Sequence, residues 1–177
     1  MDKGGFFVCC VYWGGYVNGK RTARFSVTDW DVARPRSNQA GKHGSQKVAQ
    51  LHGTLASVRC LRCVREYASS RYLEETGANC ECGGFLRPSV VLFGEGLPPF
   101  DYERAEEWTE EADLFIVLGS SLLVSPANLF PRRAKQRGAR LVIVNRDTTP
   151  LDERADMLIQ NEPIGSILQR TEKYLNA

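Results

Sequence analysis

The chain has 177 residues, a formal net charge of +2 at pH 7 and 25% charged residues. That length suits one ordinary core plus a small stapled module, and so balanced a charge excludes the basic footprint of a nucleic-acid or polyanion binder. No apolar run approaches the ~20 residues of a membrane-spanning helix, and six cysteines are too few for a disulfide scaffold of this length.

Residues 1–41 are the least legible part. Phe6-Phe7-Val8-Cys9-Cys10-Val11-Tyr12-Trp13 is apolar without alternation, which fits either a buried strand or an unsupported sticky segment. It lacks a basic leader and a small-residue cleavage site, so it is not expected to act as a signal peptide. Gly14 and Gly15 form no G-x-G-x-x-G, and no phosphate-binding turn is expected there. Cys9 and Cys10 are adjacent without a matching pair nearby, and are expected to be ordinary buried thiols.

From residue 42 the pattern sharpens. His52 stands between Leu51 and Gly53. A histidine beside a glycine can occupy a turn from which its ring reaches a cleft, and an ordinary pKa of about 6.5 suits a general base at neutral pH. Taken alone, such a histidine is more often a surface or satisfied core residue. His43 has no comparable context and is given no role.

Next come Cys60-x-x-Cys63 and Cys80-x-Cys82-Gly83-Gly84. Two close pairs separated by a loop long enough to fold back suit one tetrahedral metal ion. Four sulfur ligands leave no open position for substrate, so Cys60, Cys63, Cys80 and Cys82 are predicted to hold one structural zinc ion. Residues 54–86 contain Arg65, Glu66, Glu74 and Glu75 but few large apolar residues, so metal binding must supply much of their folding energy. Metal-binding thiolates also predict a reducing compartment and a soluble, cytoplasmic protein.

Beyond the module the pattern is α/β. Residues 89–93 are a short apolar run, and Tyr102, Ala105, Trp108 and Ala112 recur at helical spacing in an acidic segment. Residues 114–118 form a continuous apolar strand of the kind covered by helices on both faces, ending at Gly119-Ser120-Ser121. Ser125 and Pro126 predict a helix start and Gly138 its stop; Pro131 is expected to kink that helix. Residues 141–144 predict the next strand, ending at Asn145-Arg146. Strand, helix, strand in this order implies a right-handed parallel crossover. A last strand near residues 157–159 precedes a helix with Ile164, Ile167, Leu168, Thr171, Tyr174 and Leu175 on one side. Ligands of open parallel sheets bind beyond the carboxyl ends of the strands, where Gly119, Ser120, Ser121, Asn145 and Arg146 fall. Pattern alone leaves two readings, a nucleotide site or merely tight turns. Arg132, Arg133, Lys135 and Arg137 read as a solvated face near a helix C-terminus, where positive charge is favoured.

Leu51-His52-Gly53, the two cysteine pairs, Leu86-Arg87-Pro88, Val91-Leu92-Phe93-Gly94-Glu95, Gly119-Ser120-Ser121-Leu122, Pro126-Ala127 and Val144-Asn145 together resemble a sirtuin. Sirtuins are NAD-dependent protein-lysine deacylases, and the resemblance runs from about residue 42 to residue 175. It implies an α/β fold, a partial Rossmann-like parallel sheet with an inserted four-cysteine zinc module. The domains implied are an atypical segment at 1–41, a partial NAD-binding domain at 42–53 and 87–177, and a zinc-binding module at 54–86. In that family the acyl-lysine carbonyl oxygen attacks C1′ of the nicotinamide ribose and nicotinamide leaves. A histidine matching His52 then takes a proton from a ribose hydroxyl, and water releases deacylated lysine and O-acyl-ADP-ribose. The cofactor carries the reactive bond while the protein supplies position and one base. By the same resemblance, Gly119, Ser120, Ser121, Asn145 and Arg146 would bind NAD and Val91 would line the acyl-lysine tunnel. Phe93, Gly94, Glu95, Leu123 and Val124 would hold an acylated peptide as an added strand.

The sequence departs from the family in its first part. The Gly-Ala-Gly-x-Ser cofactor loop is absent, and residues 34–41 read Arg-Pro-Arg-Ser-Asn-Gln-Ala-Gly where Gln-Asn-x-Asp is expected. Gln50 stands in place of the usual glutamate. The expectation is a sirtuin truncated or altered in its N-terminal part, whose turnover is impaired. The alternative is a non-catalytic zinc-containing peptide-binding module. A zinc-ribbon nucleic-acid binder is disfavoured by the modest charge and the lack of aromatic–basic interleaving.

Overall fold

The computed structural model describes residues 6–12, 16–17, 20–21 and 24–29 by their backbone, together with residues 48–74 and 77–175. Four short strands come first, β1 (Phe6–Tyr12), β2 (Tyr16–Val17), β3 (Lys20–Arg21) and β4 (Arg24–Asp29). Then follow β5 (Val48–Ala49), β6 (Gly53–Cys60), β7 (Glu66–Ala68) and β8 (Leu86–Val90). The remainder alternates: α1 (Pro99–Glu111), β9 (Leu114–Leu118), α2 (Leu129–Gln136), β10 (Arg140–Val144), β11 (Met157–Ile159) and α3 (Ile164–Leu175). They divide into two compact units, one formed by Met1–Leu51 with Pro99–Ala177 and the other by His52–Pro98.

The larger unit is built on a six-stranded sheet of order β11-β10-β9-β1-β4-β5. Its parallel part runs β11, β10, β9 and β1, as the unbroken apolar runs require. Phe115, Val117, Leu141 and Ile143 are buried on the face that α2 covers. On the other face Leu118 and Val144 pack with Ile167 of α3, supported by Ile116, Val142, Ile164 and Leu168. Strands covered on both sides have no polar face to show, which is why their sequences do not alternate. Burying a side chain such as Leu141 or Ile143 contributes about 1.5–3 kcal/mol.

The N-terminal run resolves to the strand reading. β1 pairs in parallel with β9, from Phe6 opposite Leu114 to Cys10 opposite Leu118, and antiparallel with β4 on its other side. The burial expected of Cys9 and Cys10, and the motif expected at residues 34–41, lie outside the described residues.

Two helical expectations need correction. α2 begins at Leu129 rather than at Ser125, and residues 124–128 form turns closed by bonds such as Asn128 N–H to the Val124 carbonyl. Pro131 therefore sits in the first helical turn, where a missing N–H breaks no bond, and no kink is called for. In α3 the apolar stripe is narrower than expected: Ile167 is buried but Tyr174 is 84% exposed.

Ion pairs join α1 to α2, Arg133 to Glu106 and Arg137 to Glu110, and Lys135 reaches Asp156 at 2.6 Å. The basic run on α2 is thus a surface face threaded with partners. Exposed pairs of this kind contribute little individually.

The smaller unit is a three-stranded sheet of order β7-β6-β8. Leu86–Val90 forms an antiparallel ladder with β6, so residues 87–98, read above as part of the nucleotide domain, group with the cysteine-bearing unit. The run at residues 89–93 is apolar but is not a strand of the large sheet. The core here is Val58, Cys60, Cys80 and Leu86, with Tyr67 and Cys82 against it. Two of those four buried residues are cysteines, too little apolar surface to hold the unit without another source of energy. Among the described residues no helix is long and apolar enough to cross a membrane.

Candidate functional site

Two tight turns bring the cysteines together. In the first, the Val64 N–H donates to the Cys60 carbonyl at 3.1 Å, and the Arg62 and Cys63 N–H groups point at Cys60 Sγ, 3.3 and 3.5 Å away. In the second, the Gly83 N–H donates to the Cys80 carbonyl and the Cys80 N–H to the Gly84 carbonyl, both at 2.8 Å. The four sulfurs lie within 4.8 Å of one another, with Cys60–Cys82 at 3.5 Å and Cys63–Cys80 at 3.6 Å. A tetrahedron with metal–sulfur bonds of about 2.3 Å has edges of about 3.8 Å, so the spacing suits one ion, while disulfide bonding requires about 2.05 Å.

Local chemistry favours a thiolate at Cys80, whereas at Cys82 the Gly84 N–H is outweighed by burial and the neighbouring sulfurs, which push that thiol up to about 12. Tyr67 Oη lies 3.1 Å from Cys80 Sγ. That hydrogen bond, with the Cys82 backbone N–H next, holds the Cys80 thiol down at about 6. Backbone N–H groups and a phenol aimed at sulfur stabilise its charged form. Gly84 completes the cradle, since a Cβ there would stand 2.7 Å from Cys60 Sγ.

The same sheet carries His52. Gly53, the first residue of β6, has a φ of +72° and pairs with Val90, and the Val91 N–H donates to the His52 carbonyl at 3.0 Å. His52 is half-buried, and burial lowers its pKa from the ordinary 6.5, because desolvation disfavours the charged ring. The imidazole is therefore neutral near pH 7 and able to accept a proton.

Beyond β8 the chain turns at Gly94, whose φ is +88°. Glu95 closes this loop: its Oε2 accepts from Arg87 Nη2 at 2.7 Å and from the Leu92 N–H at 3.0 Å, and Arg59 Nη2 stands 4.0 Å away. The Arg87 guanidinium first, then the Leu92 N–H, hold the Glu95 carboxyl down at about 2. Phe93 is 83% exposed, whereas Val91 is half-buried.

In the larger unit, Gly119, Ser120 and Ser121 follow β9, and Asn145 and Arg146 follow β10. These strands are neighbours, with Leu118 opposite Val144, and the Gly119 N–H donates to the Val144 carbonyl at 2.9 Å. The two turns expected at one crevice thus lie side by side at the carboxyl edge. Ser120 is buried and its Oγ accepts from the Leu122 N–H at 3.2 Å. Ser121 and Asn145 are half-buried, and Arg146 is exposed beside Asp147. Asn145 Nδ2 donates to the Asp147 carbonyl at 2.7 Å. Leu123 is 70% exposed and Val124 half-buried.

Residues 38–126 match the model of the Sir2 family. The chain belongs to that family. As a sirtuin it is 52% identical over 141 residues to an NAD-dependent protein deacetylase of Shouchella clausii, covering 78% of this chain and 59% of the relative. It is 44% identical over 134 residues to an NAD-dependent protein deacylase of Aquifex aeolicus, covering 75% and 56%. A solved Sir2 structure with a p53 peptide and NAD+ superposes with a TM-score of 0.70 at 35% identity, covering 77% of this chain and 58% of that one. A Sir2 bound to an acetylated peptide gives 0.71 at 34%, covering 77% and 59%. This sirtuin chain therefore spans less than two thirds of the length of these relatives.

Three features of this sirtuin's site carried no signal in the spacing. Tyr67 comes four residues after Cys63, and nothing at that interval announces a hydroxyl turned onto Cys80. The Arg87–Glu95 pair spans a proline and an apolar run, and no local pattern links its ends. Gly53 was legible only as a neighbour of His52, yet a Cβ there would lie 1.9 Å from the Ser89 carbonyl oxygen.

Proposed function

We propose that this sirtuin is an NAD-dependent protein-lysine deacylase that transfers an acyl group from lysine to ADP-ribose and releases nicotinamide. The observation that carries the reading is the bond between the His52 carbonyl and the Val91 N–H. It fixes the backbone of the imidazole-bearing residue beside that of the residue proposed to line the acyl-lysine tunnel, at the end of the β6–β8 ladder. Support also comes from the solved relatives, one with a peptide and NAD+ and another with an acetylated peptide.

NAD supplies the bond between nicotinamide and ribose whose cleavage drives the transfer. Gly119, Ser120, Ser121, Asn145 and Arg146 would hold it, with Asn145 directed at a ribose hydroxyl. His52, kept neutral by burial, would accept a proton on its ring nitrogen, which is general-base work at a pKa near or below neutrality. Phe93, Gly94, Glu95, Leu123 and Val124 would receive the acylated peptide along its backbone. The four thiolates would hold one zinc ion with a purely structural role, since a fourth sulfur closes the coordination shell. Thiolate ligands and a balanced charge fit a cytoplasmic enzyme that needs no nucleic-acid partner.

Turnover by this chain alone would be weak. The family's Gly-Ala-Gly-x-Ser cofactor loop is absent and residues 34–41 lack Gln-Asn-x-Asp, and lost orientation of reacting groups costs orders of magnitude in rate. One observation favours a second reading, a non-catalytic zinc-containing peptide-binding module. Among the described residues, β1 leads through β2 and β3 to antiparallel β4, with no helix whose N-terminus would receive a pyrophosphate.

The test is nicotinamide release in the presence of NAD and an acetyl-lysine peptide. Release that requires the peptide and vanishes in His52→Ala supports the deacylase. Peptide binding with no nicotinamide release, at any NAD concentration, supports the module instead.

A further inference from the structure

We propose that Glu95 and Arg87 are positioning residues whose side chains hold the loop after β8 ready to receive a peptide, and that the Glu95 carboxylate, unlike the backbone of residues 93–95, does not itself contact substrate. This rests on the reading of residues 93–95 as a peptide-binding edge. One carboxylate oxygen, Glu95 Oε2, takes the Arg87 Nη2 bond at 2.7 Å and the Leu92 N–H bond at 3.0 Å. Arg59 Nη2 adds a second positive charge at 4.0 Å. The Glu95 N–H returns to the Leu92 carbonyl at 3.0 Å, and Arg87 Nη2 also reaches the Val90 carbonyl at 3.3 Å. Both arginines lie on paired strands, opposite each other in the β6–β8 register. The Leu92–Glu95 turn closes on itself, and the Glu95 carboxylate ties it through Arg87 to a fixed ladder.

The arrangement leaves the loop's outer side to others. Leu92 is 54% and Phe93 83% exposed, and Gly94 has space for a Cβ on every side. β8 is an edge strand, and a chain segment added beside such an edge binds through main-chain groups that must already be aligned. Ordering a loop at the moment of binding subtracts from affinity, and fixing it beforehand restores that loss. A charge-assisted pair between a guanidinium and a carboxylate, with a backbone N–H on the same oxygen, is a strong means of doing so.

The experiment uses the full chain loaded with zinc, and two probes. One is a seven-residue peptide with a central acetyl-lysine. The other is acetyl-lysine capped at both ends, too short to add as a strand. Affinities are measured for the unaltered chain, Glu95→Gln and Arg87→Lys, with zinc content and hydrogen exchange at the Leu92 N–H recorded alongside. Expected for Glu95→Gln is about a ten-fold loss of peptide affinity, the scale of a lost hydrogen bond to a charged group. Faster Leu92 exchange, unchanged zinc and unchanged affinity for the capped residue should accompany it. Arg87→Lys keeps the charge but loses the fork, and should fall between. Equal peptide affinity in Glu95→Gln and the unaltered chain overturns the inference while leaving the deacylase reading intact. Equal losses for both probes also overturn it, since that marks a direct contact or general damage. Failure of the unaltered chain to bind the peptide overturns the functional reading, and this inference with it.

Discussion

The Val91 N–H donates to the carbonyl of His52 across 3.0 Å. This bond joins the turn that carries the imidazole to the loop that begins beyond β8. It forms only because β8 can approach β6 closely at Gly53, where the two strands fall out of regular register.

Gly53→Ala should break that approach. Its Cβ would lie 1.9 Å from the Ser89 carbonyl oxygen, at a φ of +72°. A left-handed conformation alone costs a residue with a side chain roughly 1–2 kcal/mol, and the displaced strand adds to it. Urea denaturation should show a loss of about 2 kcal/mol or more. The His52 imidazole resonances should shift as well, because the turn moves with the strand.

Cys63→Ala should unfold the smaller unit. Structural zinc sites contribute an apparent ~10–16 kcal/mol near neutral pH, and the apolar core of four residues cannot replace it. Zinc content should fall to background and protease should cleave within residues 52–98. A chelator applied to the unaltered protein should give the same pattern, reversed by adding zinc back.

Val64→Gly should stabilise the same unit. Val64 has a φ of 61° and is 66% exposed, so the knuckle forces a β-branched residue into a left-handed conformation with little burial in return. Relief of about 1–2 kcal/mol exceeds the roughly 0.5–1 kcal/mol entropic cost of a glycine. Thermal unfolding of the zinc-bound chain should shift upward slightly.

His52 gives a pH signature with a definite sign. Its folded pKa is lowered from 6.5 by burial. Between the folded and unfolded values the unfolded chain binds the proton and the folded chain does not, so stability rises with pH across that window. Stability should decline as pH falls through 6.5, and this contribution should level off below the folded pKa. His52→Gln should flatten that part of the profile, and a proton NMR titration should place the midpoint below 6.5.

How much was legible follows from where the signals lie. β9 was read at its true bounds because five consecutive apolar residues, covered on both faces, leave no other element open. The cysteine cluster was legible because ligand chemistry fixes spacing more tightly than any propensity. Residues 87–98 read as part of the nucleotide domain yet group with the cysteine-bearing unit, since an apolar run says that a segment is buried and not which sheet buries it. Pro131 misled for a related reason: proline is disruptive in a helix interior and harmless in the first turn, and sequence patterns place helix starts only to within a few residues. For β1 the lack of alternation left the element type open, and pairing with β9, more than 100 residues away in the chain, decided it.

The most direct measurement is a calorimetric titration of NAD into the zinc-bound chain, with and without an acetyl-lysine peptide. Saturable binding at one NAD per chain, weakened about ten-fold or more by Asn145→Ala, is the expected result. Heat from the peptide alone, with no response to NAD, would contradict a cofactor site at the carboxyl edge of β9 and β10.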